Sequence, residues 1–427
     1  GPPVPDFGGS ISVFEGYAEF TAPLVKDRPG FELLSVDASA RVGSYDIENV
    51  GTVFSFRGGI QYAPVKDIRF RASYARAQRA PDLTELFSPP RGDFDDVSDI
   101  CDGVTPTTAG RIATNCRANS GIQALFASQA ESGAPQLFDQ SGTSIYSPNA
   151  GNLDLKEETA DTFTAGAVFT PTFLPRFTLA VDYYNIRIKD AITAYGNQDI
   201  LSQCYDSDLA PAVNSFCGDI TRNPNNGQLS GITQREFNLA GFRTSGLDVA
   251  AEYRFDLKDI GIPGNWSLRY DATHLLKYET SFVGLTGLVT TDQRGELTSG
   301  TFKYRARGSL SWRSDGLTLR WTAIYYGKIY DSLDRLDDYR TFKASNPNAE
   351  YPMFLNIPGV WQHNVYAGYN FKIRDADLRL YGGVTNLFDR VSPLLPAGDV
   401  LSGSTNNYDP TYDVAGRRFY LGATLNF

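Results

Sequence analysis

The sequence predicts an all-β fold, a transmembrane antiparallel β-barrel, and three observations predict it. The first is the carboxy-terminal stretch Arg417–Phe427, in which Phe419, Leu421, Ala423, Leu425 and Phe427 fall on one face and Arg418, Tyr420, Gly422, Thr424 and Asn426 on the other. A period of two ending on an aromatic terminus suits the closing strand of an outer-membrane barrel, with its apolar side to lipid and its polar side to the lumen. Phe419, Leu421, Leu425 and Phe427 are therefore the expected barrel-assembly signature. The second is a regular alternation of long polar segments with short turns. The third is composition: aromatics reach 13% while mean hydropathy is only −0.29. No apolar run approaches the ~18 residues that a spanning helix needs. A barrel strand escapes that test, because only every second residue meets lipid.

The strands follow in order. Gly1–Gly9 carries three prolines and reads as loop. A strand from about Ser10 to Leu24 meets a turn containing Lys26, Asp27, Pro29 and Gly30. From about Phe31 to Ser44, Leu34, Val36, Ala38, Ala40 and Val42 face one way and Asp37, Ser39 and Arg41 the other. Strands from about Thr52 to Tyr62 and Ile68 to Arg79 follow; in the latter Ile68, Phe70, Ala72 and Tyr74 oppose Arg69, Arg71 and Ser73.

Alternation alone does not separate a barrel from a soluble sandwich; connection lengths do. The polar segment after Arg79 reaches about Lys156, too long an excursion for a compact soluble domain. A strand from about Ala160 to Thr170 then meets the short turn PTFLP, and one from about Arg176 to Ile192 opens a second long loop. A long strand, about Gly231 to Leu257, returns to the turn KDIGIPGN. Strands beginning near Trp266, Phe302, Leu317, Trp361 and Leu378 continue the pattern to the closing strand. The long loops, about 80–156, 193–230, 283–299, 331–358 and 390–413, all fall at one end. The count is about thirteen strands, an odd number, whereas bacterial single-chain barrels have an even number. The chain is thus expected to supply part of a barrel, beginning on the long-loop side.

A net charge of −10 and a pI near 4.9 argue against a nucleic-acid partner, which would need a basic face. No signal peptide precedes Gly1, so an export signal would have been removed or lie on other sequence. The four cysteines form two local pairs, Cys101 with Cys116 and Cys204 with Cys217, in long polar segments. In an exported chain such spacing suggests loop-stapling disulfides. A metal site is the rival, weakened by the absence of C-x-x-C and of any nearby histidine.

Motifs in a fixed order resemble those of the TonB-dependent outer-membrane receptors. YARAQRAPDLTELFSPP (Tyr74–Pro90) is similar to that family's strand-into-loop signature, with Arg79, Ala80, Pro81, Glu85, Leu86 and Phe87 at matching places. NLDLKEETADTFTAG (Asn152–Gly166) resembles a segment in which N-P-x-L-K-x-E-T enters a strand, Leu153 standing where Pro is commoner. Thr244–Asp248 (TSGLD), Val384–Asp389 (VTNLFD) and the terminal Phe427 complete the set. The resemblance implies the carboxy-terminal part of a 22-stranded barrel, with the plug domain and the earlier strands on another chain or on sequence not shown. It implies active import of a scarce nutrient, such as an iron chelate, a vitamin or a glycan fragment. The implied partners are the TonB–ExbB–ExbD energy-transducing complex, outer-membrane lipids, and surface or periplasmic accessory proteins. The alternative is a passive porin-like or structural barrel without energy coupling.

Catalytic chemistry finds little support. There is no H-E-x-x-H, G-x-S-x-G or P-loop spacing, and both histidines, His274 and His363, fall on predicted lipid-facing positions. No cofactor is expected. Ca²⁺ in the acidic stretches Asp93–Asp99 or Asp331–Asp338 is the one candidate, though neither keeps EF-hand spacing. Arg69, Arg71, Arg305, Arg307 and Arg320 face the lumen; they would pair with carboxylates on a plug or on neighbouring strands, or line a route for an anionic ligand. Tyr326, Tyr330, Tyr339, Trp361 and Tyr408, at loop roots, are candidates for stacking on a sugar or aromatic chelator, or else belong to the interface girdle. Arg79 and Pro81 are expected to anchor the base of the first long loop.

Overall fold

The fold is described by a computed structural model covering residues 6, 8–92, 94–284, 287–297, 300–331, 333–348, 356–373, 376–391, 393, 412–413 and 415–426. Thirteen strands form its wall: β1 (Val13–Arg28), β2 (Phe31–Tyr45), β3 (Thr52–Val65), β4 (Ile68–Arg79), β5 (Glu158–Phe169), β6 (Phe177–Ala194), β7 (Gln234–Leu257), β8 (Ile262–Gly284), β9 (Tyr304–Ser314), β10 (Leu317–Tyr326), β11 (Val360–Ile373), β12 (Ala376–Thr385) and β13 (Arg418–Asn426). Each pairs antiparallel with its neighbours in sequence, and β1 and β13 are the two edges of the sheet. Phe427, at the end of the closing strand, lies outside the described residues.

Register keeps two faces distinct across the whole wall. On one, Tyr74 meets Phe163, Val181 meets Val249, Leu268 meets Leu310, Leu310 meets Trp321, and Leu380 meets Ala423. On the other, Arg71 meets Gly166, Asp182 meets Asp248, Asp271 meets Arg307, and Asn370 meets Arg379. Because side chains alternate with period two, a slip of one residue anywhere would exchange the faces, so apolar continuity fixes the register. The apolar face stays open to its surroundings, with Phe419 74% and Leu421 88% exposed. A soluble sandwich would cover one face with a second sheet. Here the largest fully buried side chains, such as Phe138, Ile122, Leu155, Ile200 and Leu201, all lie outside the wall.

The height of the apolar face suits a bilayer. Trp361 and Phe371 stand on it near opposite ends of β11. Ten residues at ~3.3 Å each give about 33 Å along the strand, and a tilt of ~40° leaves about 25 Å, the height of an outer-membrane apolar band.

Short turns are written in the backbone. Between β9 and β10 the φ angles of Asp315 and Gly316 are 47° and 86°. Two positive values in succession make the tight primed turn that matches strand twist, and Asp-Gly is a pair that tolerates it. β1 starts later and ends later than expected, running through Lys26 and Asp27 to Arg28. It continues past Pro23, which has no N–H to donate, because a bulge between Pro23 and Val25 absorbs the irregularity. β7 is one unbroken strand of 24 residues from Gln234; the preceding Leu229–Ile232 belongs to a separate loop sheet. A further strand, Gly287–Asp292, folds back on β8 where a plain loop was expected.

The two longest loops are not plain either. They contain helices Arg111–Arg117, Ser120–Ser132 and Asn197–Tyr205 and a four-stranded sheet whose order is Ile220–Arg222, Leu229–Ile232, Ser144–Tyr146 and Phe94–Asp96. Leu229–Ile232 of the second loop pairs with Ser144–Tyr146 of the first in that sheet, so the loops fold as one body, the cap, over the β4–β7 end of the wall. Its core includes Val97, Ile122, Phe126, Phe138, Ile200, Leu201 and Ile232. Both expected disulfides are formed within it, Cys101–Cys116 at 2.00 Å and Cys204–Cys217 at 2.06 Å.

Candidate functional site

The polar face of the wall carries a row of charged groups. Arg71 on β4 bonds Asp182 on β6 with two hydrogen bonds, Nε to Oδ1 at 2.8 Å and Nη2 to Oδ2 at 2.6 Å. They are two strands apart, and the residue between them is Gly166. A Cβ on Gly166 would lie 2.0 Å from Asp182 Oδ1, so only glycine leaves the gap that this pair crosses. Register continues the row from Asp182 to Asp248, Thr273, Arg305 and Tyr326. Thr273 donates to Asp248 at 2.6 Å.

A cavity of about 530 Å³ opens on this row, lined by Asp182, Asp248, Asp271, Thr273, Arg305 and Arg307 among others. Asp271 accepts from Arg269 at 2.8 Å. Arg305 lies over the Tyr326 ring at 5.0 Å, and Arg320 donates to Ser311 Oγ at 3.0 Å. Among the described residues, Arg69, Arg305 and Arg307 make no ion pair. The structure therefore brings Arg305 and Arg307 together with three aspartates and places Arg71 at the other end of the row. Arg320 stands away from it, toward the short-turn end. The aspartates were missed from sequence. Their signal was available: Asp182, Asp248 and Asp271 hold the same alternating parity as the arginines.

Arg79 closes the base of the cap. Its Nη1 and Nη2 each bond a Glu85 oxygen at 2.9 Å, and its Nε bonds Glu158 Oε2 at 2.5 Å. Glu85 belongs to a short helix, Leu83–Phe87, with a capping box: Asp82 accepts from the Thr84 and Glu85 amides, and Glu85 accepts from the Asp82 amide. One guanidinium thus holds the outgoing end of the first loop against the start of β5.

Inside the cap, Arg222 and Asp99 form an ion pair at 2.6 Å with side chains 2% and 0% exposed. Arg222 Nε also donates to Tyr205 at 2.8 Å, and its guanidinium stacks 5.0 Å from that ring and 5.7 Å from Phe138. Asp99 and Phe138 come from the first loop, Arg222 and Tyr205 from the second. Burial pushes the Tyr205 hydroxyl above its ordinary range. Asp219 is also pushed up by burial, against the pull of Arg235 at 2.6 Å.

The aromatic candidates divide. Tyr326 faces inward and packs on Phe302 and Tyr412 in a second loop cluster. Tyr330 pairs with Asn356, with Lys328 Nζ 4.9 Å from its ring. Tyr339 lies on a helix, Leu333–Ser345. Trp361 needs correction as a ligand contact: it stands on the apolar face, its ring 4.8 Å from Tyr325 and stacked on His363. Parity on β11 puts it in the aromatic girdle. Tyr408 lies outside the described residues, as does Asp93. Of the acidic stretches proposed for Ca²⁺, Asp95 accepts from Asn197 and Gln234, and Asp99 is held by Arg222. Among the described residues no group of three or more His, Cys, Asp or Glu could hold a metal ion.

Residues 9–387 match the family model described as TonB dependent receptor-like, beta-barrel. The chain belongs to the TonB-dependent receptor family. The family comprises transport receptors rather than enzymes, and its barrels are proteins of the outer membrane. Among solved TonB-dependent receptors, a ferric enterobactin receptor of Pseudomonas aeruginosa aligns at 17% identity with a TM-score of 0.57. The alignment covers 97% of this chain and 44% of that one. The siderophore receptor PirA of Acinetobacter baumannii aligns at 15% identity with a TM-score of 0.54, covering 97% and 45%. At such identity the likeness is one of fold, and the chain spans less than half of either receptor. No curated protein matches the sequence. In this TonB-dependent receptor, the YARAQRAPDLTELF motif is the end of β4 with the capped helix that Arg79 clamps, and TSGLD lies within β7 with Asp248 in the polar row.

Proposed function

We propose that this chain forms barrel wall and outer loops of an active importer that takes a scarce nutrient, an anionic iron chelate first among the candidates, across the bacterial outer membrane. The single observation that carries this is the polar row, where Arg305 and Arg307 line a cavity without an acidic partner of their own. Asp182, Asp248 and Asp271 share the cavity, so Arg305 and Arg307 lack a direct ion pair rather than nearby negative charge, and their guanidinium donors stay open to a group brought into the lumen. They suit either an anionic ligand in transit or the carboxylates of a plug. The siderophore receptors with the same wall favour the chelate among possible ligands.

In this reading the polar face meets a plug supplied by another chain or by sequence not shown, together with the earlier strands of a 22-stranded barrel. TonB, ExbB and ExbD couple the proton-motive force of the inner membrane to movement of that plug. The cap and the cluster around Tyr326 form the outer vestibule, where surface accessory proteins could also dock. The test is uptake of radiolabelled iron chelates by cells carrying the complete receptor. Uptake should stop when an uncoupler collapses the proton-motive force. Uptake that continues unchanged would instead assign a passive channel. Double substitution Arg305→Gln/Arg307→Gln should lower uptake about tenfold for the loss of two charge-assisted contacts, and unchanged uptake would remove those residues from the route.

A further inference from the structure

Among the described residues, the apolar face carries its densest cluster of charge above its aromatic rim on β4 to β8. Arg76 and Asp161 share a face with Tyr74 and Phe163 and meet across β4 and β5. Asp161 meets Arg187 on β6, Arg187 meets Arg243 on β7, and Arg243 meets Glu279 on β8. Some of these charges are satisfied: Arg76 bonds Asp161, and Lys277 bonds Glu279, each at 2.8 Å. Arg187, Lys189 and Arg243 make no ion pair and no side-chain hydrogen bond among the described residues. Arg243 Nε is shut off from solvent and has no hydrogen-bond partner among the described residues.

These three cations line a groove of about 420 Å³, whose polar walls also include Asn238, Glu279, Ser281 and Thr290. Asp190 lines it as well and offsets one of the charges. A positive groove is unexpected on a chain of net charge −10. Its height is informative. On β6 the apolar face runs from Phe177 through Val181 and Tyr183, and Arg187 follows. Ten residues from Phe177 to Arg187 correspond to about 25 Å of vertical rise on a strand tilted ~40°. That is the thickness of the apolar band, so the groove stands at the level of lipid head groups.

We propose that this groove binds the phosphorylated head group of a lipid in the leaflet nearest the long loops. Guanidinium forks match phosphate oxygens in pairs, and the lysine adds a point charge. The acyl chains would descend over Tyr183, Val181 and Val249 directly below. That continuity distinguishes a lipid from a free anion, which has no use for an apolar wall beneath its site. The proposal rests on reading the apolar face as the one that meets lipid.

The test uses the complete receptor in detergent, titrated by native mass spectrometry with bisphosphorylated lipid A, with its dephosphorylated form and with inorganic phosphate. The variant is Arg187→Gln/Lys189→Gln/Arg243→Gln, and its folding is checked by heat-modifiable electrophoretic mobility. Wild type should retain bisphosphorylated lipid A, and the variant should bind it at least about tenfold more weakly, as expected for removal of several membrane-proximal cations. Arg187→Lys/Arg243→Lys should keep most of the binding. Equal adducts on wild type and the triple variant would overturn the proposal. So would equal retention of the dephosphorylated form, or displacement by inorganic phosphate at concentrations matching the lipid. None of these residues faces the lumen, so uptake is an independent readout: uptake indifferent to the proton-motive force would refute the import reading and leave the lipid titration standing.

Discussion

The wall and the cap of this molecule are held together by opposite means. In the wall, each strand is fixed by ladders to its neighbours, and both faces remain open to their surroundings; its ion pairs are half-exposed, as with Arg71 and Asp182 at 50% and 30%. In the cap, chain without long ladders closes over a dry core, pinned by two disulfides and by the Arg222–Asp99 pair. A membrane supplies the apolar surroundings that the wall needs, so the wall needs little core. The cap lies beyond that band and must make its own. Stability in the two regions should therefore respond to different substitutions.

The largest difference should come from Asp99→Ala. It leaves the Arg222 guanidinium buried beneath Phe138 and Tyr205 without its acid, and breaking such a pair costs about 3–5 kcal/mol. Amide exchange across residues 94–146 and 197–232 should rise steeply. Exchange in β8 to β13 should stay as in wild type, and equal loss there would dissolve the distinction between the two regions. Cys101→Ser/Cys116→Ser should act in the same place and somewhat less, at about 2–4 kcal/mol for removing a native crosslink. Limited proteolysis of the 102–115 segment measures it.

How legible these two regions were in the sequence follows from the same physics. The wall could be read strand by strand because alternation is local: Leu310, Trp312, Leu319 and Trp321 declare their face within a few residues. The thirteen strands and both cysteine pairs were legible for that reason. The cap was legible only as two polar loops. Its core residues, Val97, Ile122, Phe138, Ile200 and Leu201, are spread over more than a hundred positions without period. The contact that unites it joins Asp99 to Arg222, a separation no local pattern encodes. In the candidate site the arginines stood out as charges within strands, whereas Asp182 and Asp248 needed the register of four strands before they joined them. Trp361 was ambiguous for a related reason. A loop-root aromatic looks alike whether it serves a ligand or an interface, and only its partner Tyr325 decides.

A substitution in the wall gives a smaller effect with a definite geometry. Gly166→Ala places a methyl group where Asp182 Oδ1 reaches toward Arg71. The pair must separate or β5 must shift, and overpacking of this kind costs about 1–3 kcal/mol. Asp182→Asn/Gly166→Ala should cost less than the sum of its parts, because the amide no longer holds the arginine across the gap. Thermal loss of heat-modifiable mobility reports it. Additive costs would show that Gly166 serves the backbone rather than the ion pair.

The smallest effect sought is a pH dependence, and it should belong to the cap alone. Burial raises the proton affinity of Asp219 above that of an ordinary carboxylate, despite Arg235 beside it. The folded cap therefore binds more protons at this site than the unfolded chain does between the ordinary value, ~3.9, and the raised one. By linkage, the contribution of Asp219 to stability is fully present below the unfolded value and is lost as pH rises through the folded one. Asp219→Asn keeps the shape and removes the titration. The stability of wild type relative to this variant, read from amide exchange in residues 197–232, should grow as pH is lowered from about 7 to about 4. Other acids of the cap, Asp99 among them, act equally in both proteins and cancel in the difference. A difference that shrinks on acidification would mean that Arg235 outweighs burial, and Asp219 would then be an ordinary partner in an ion pair, as the aspartates of the wall are.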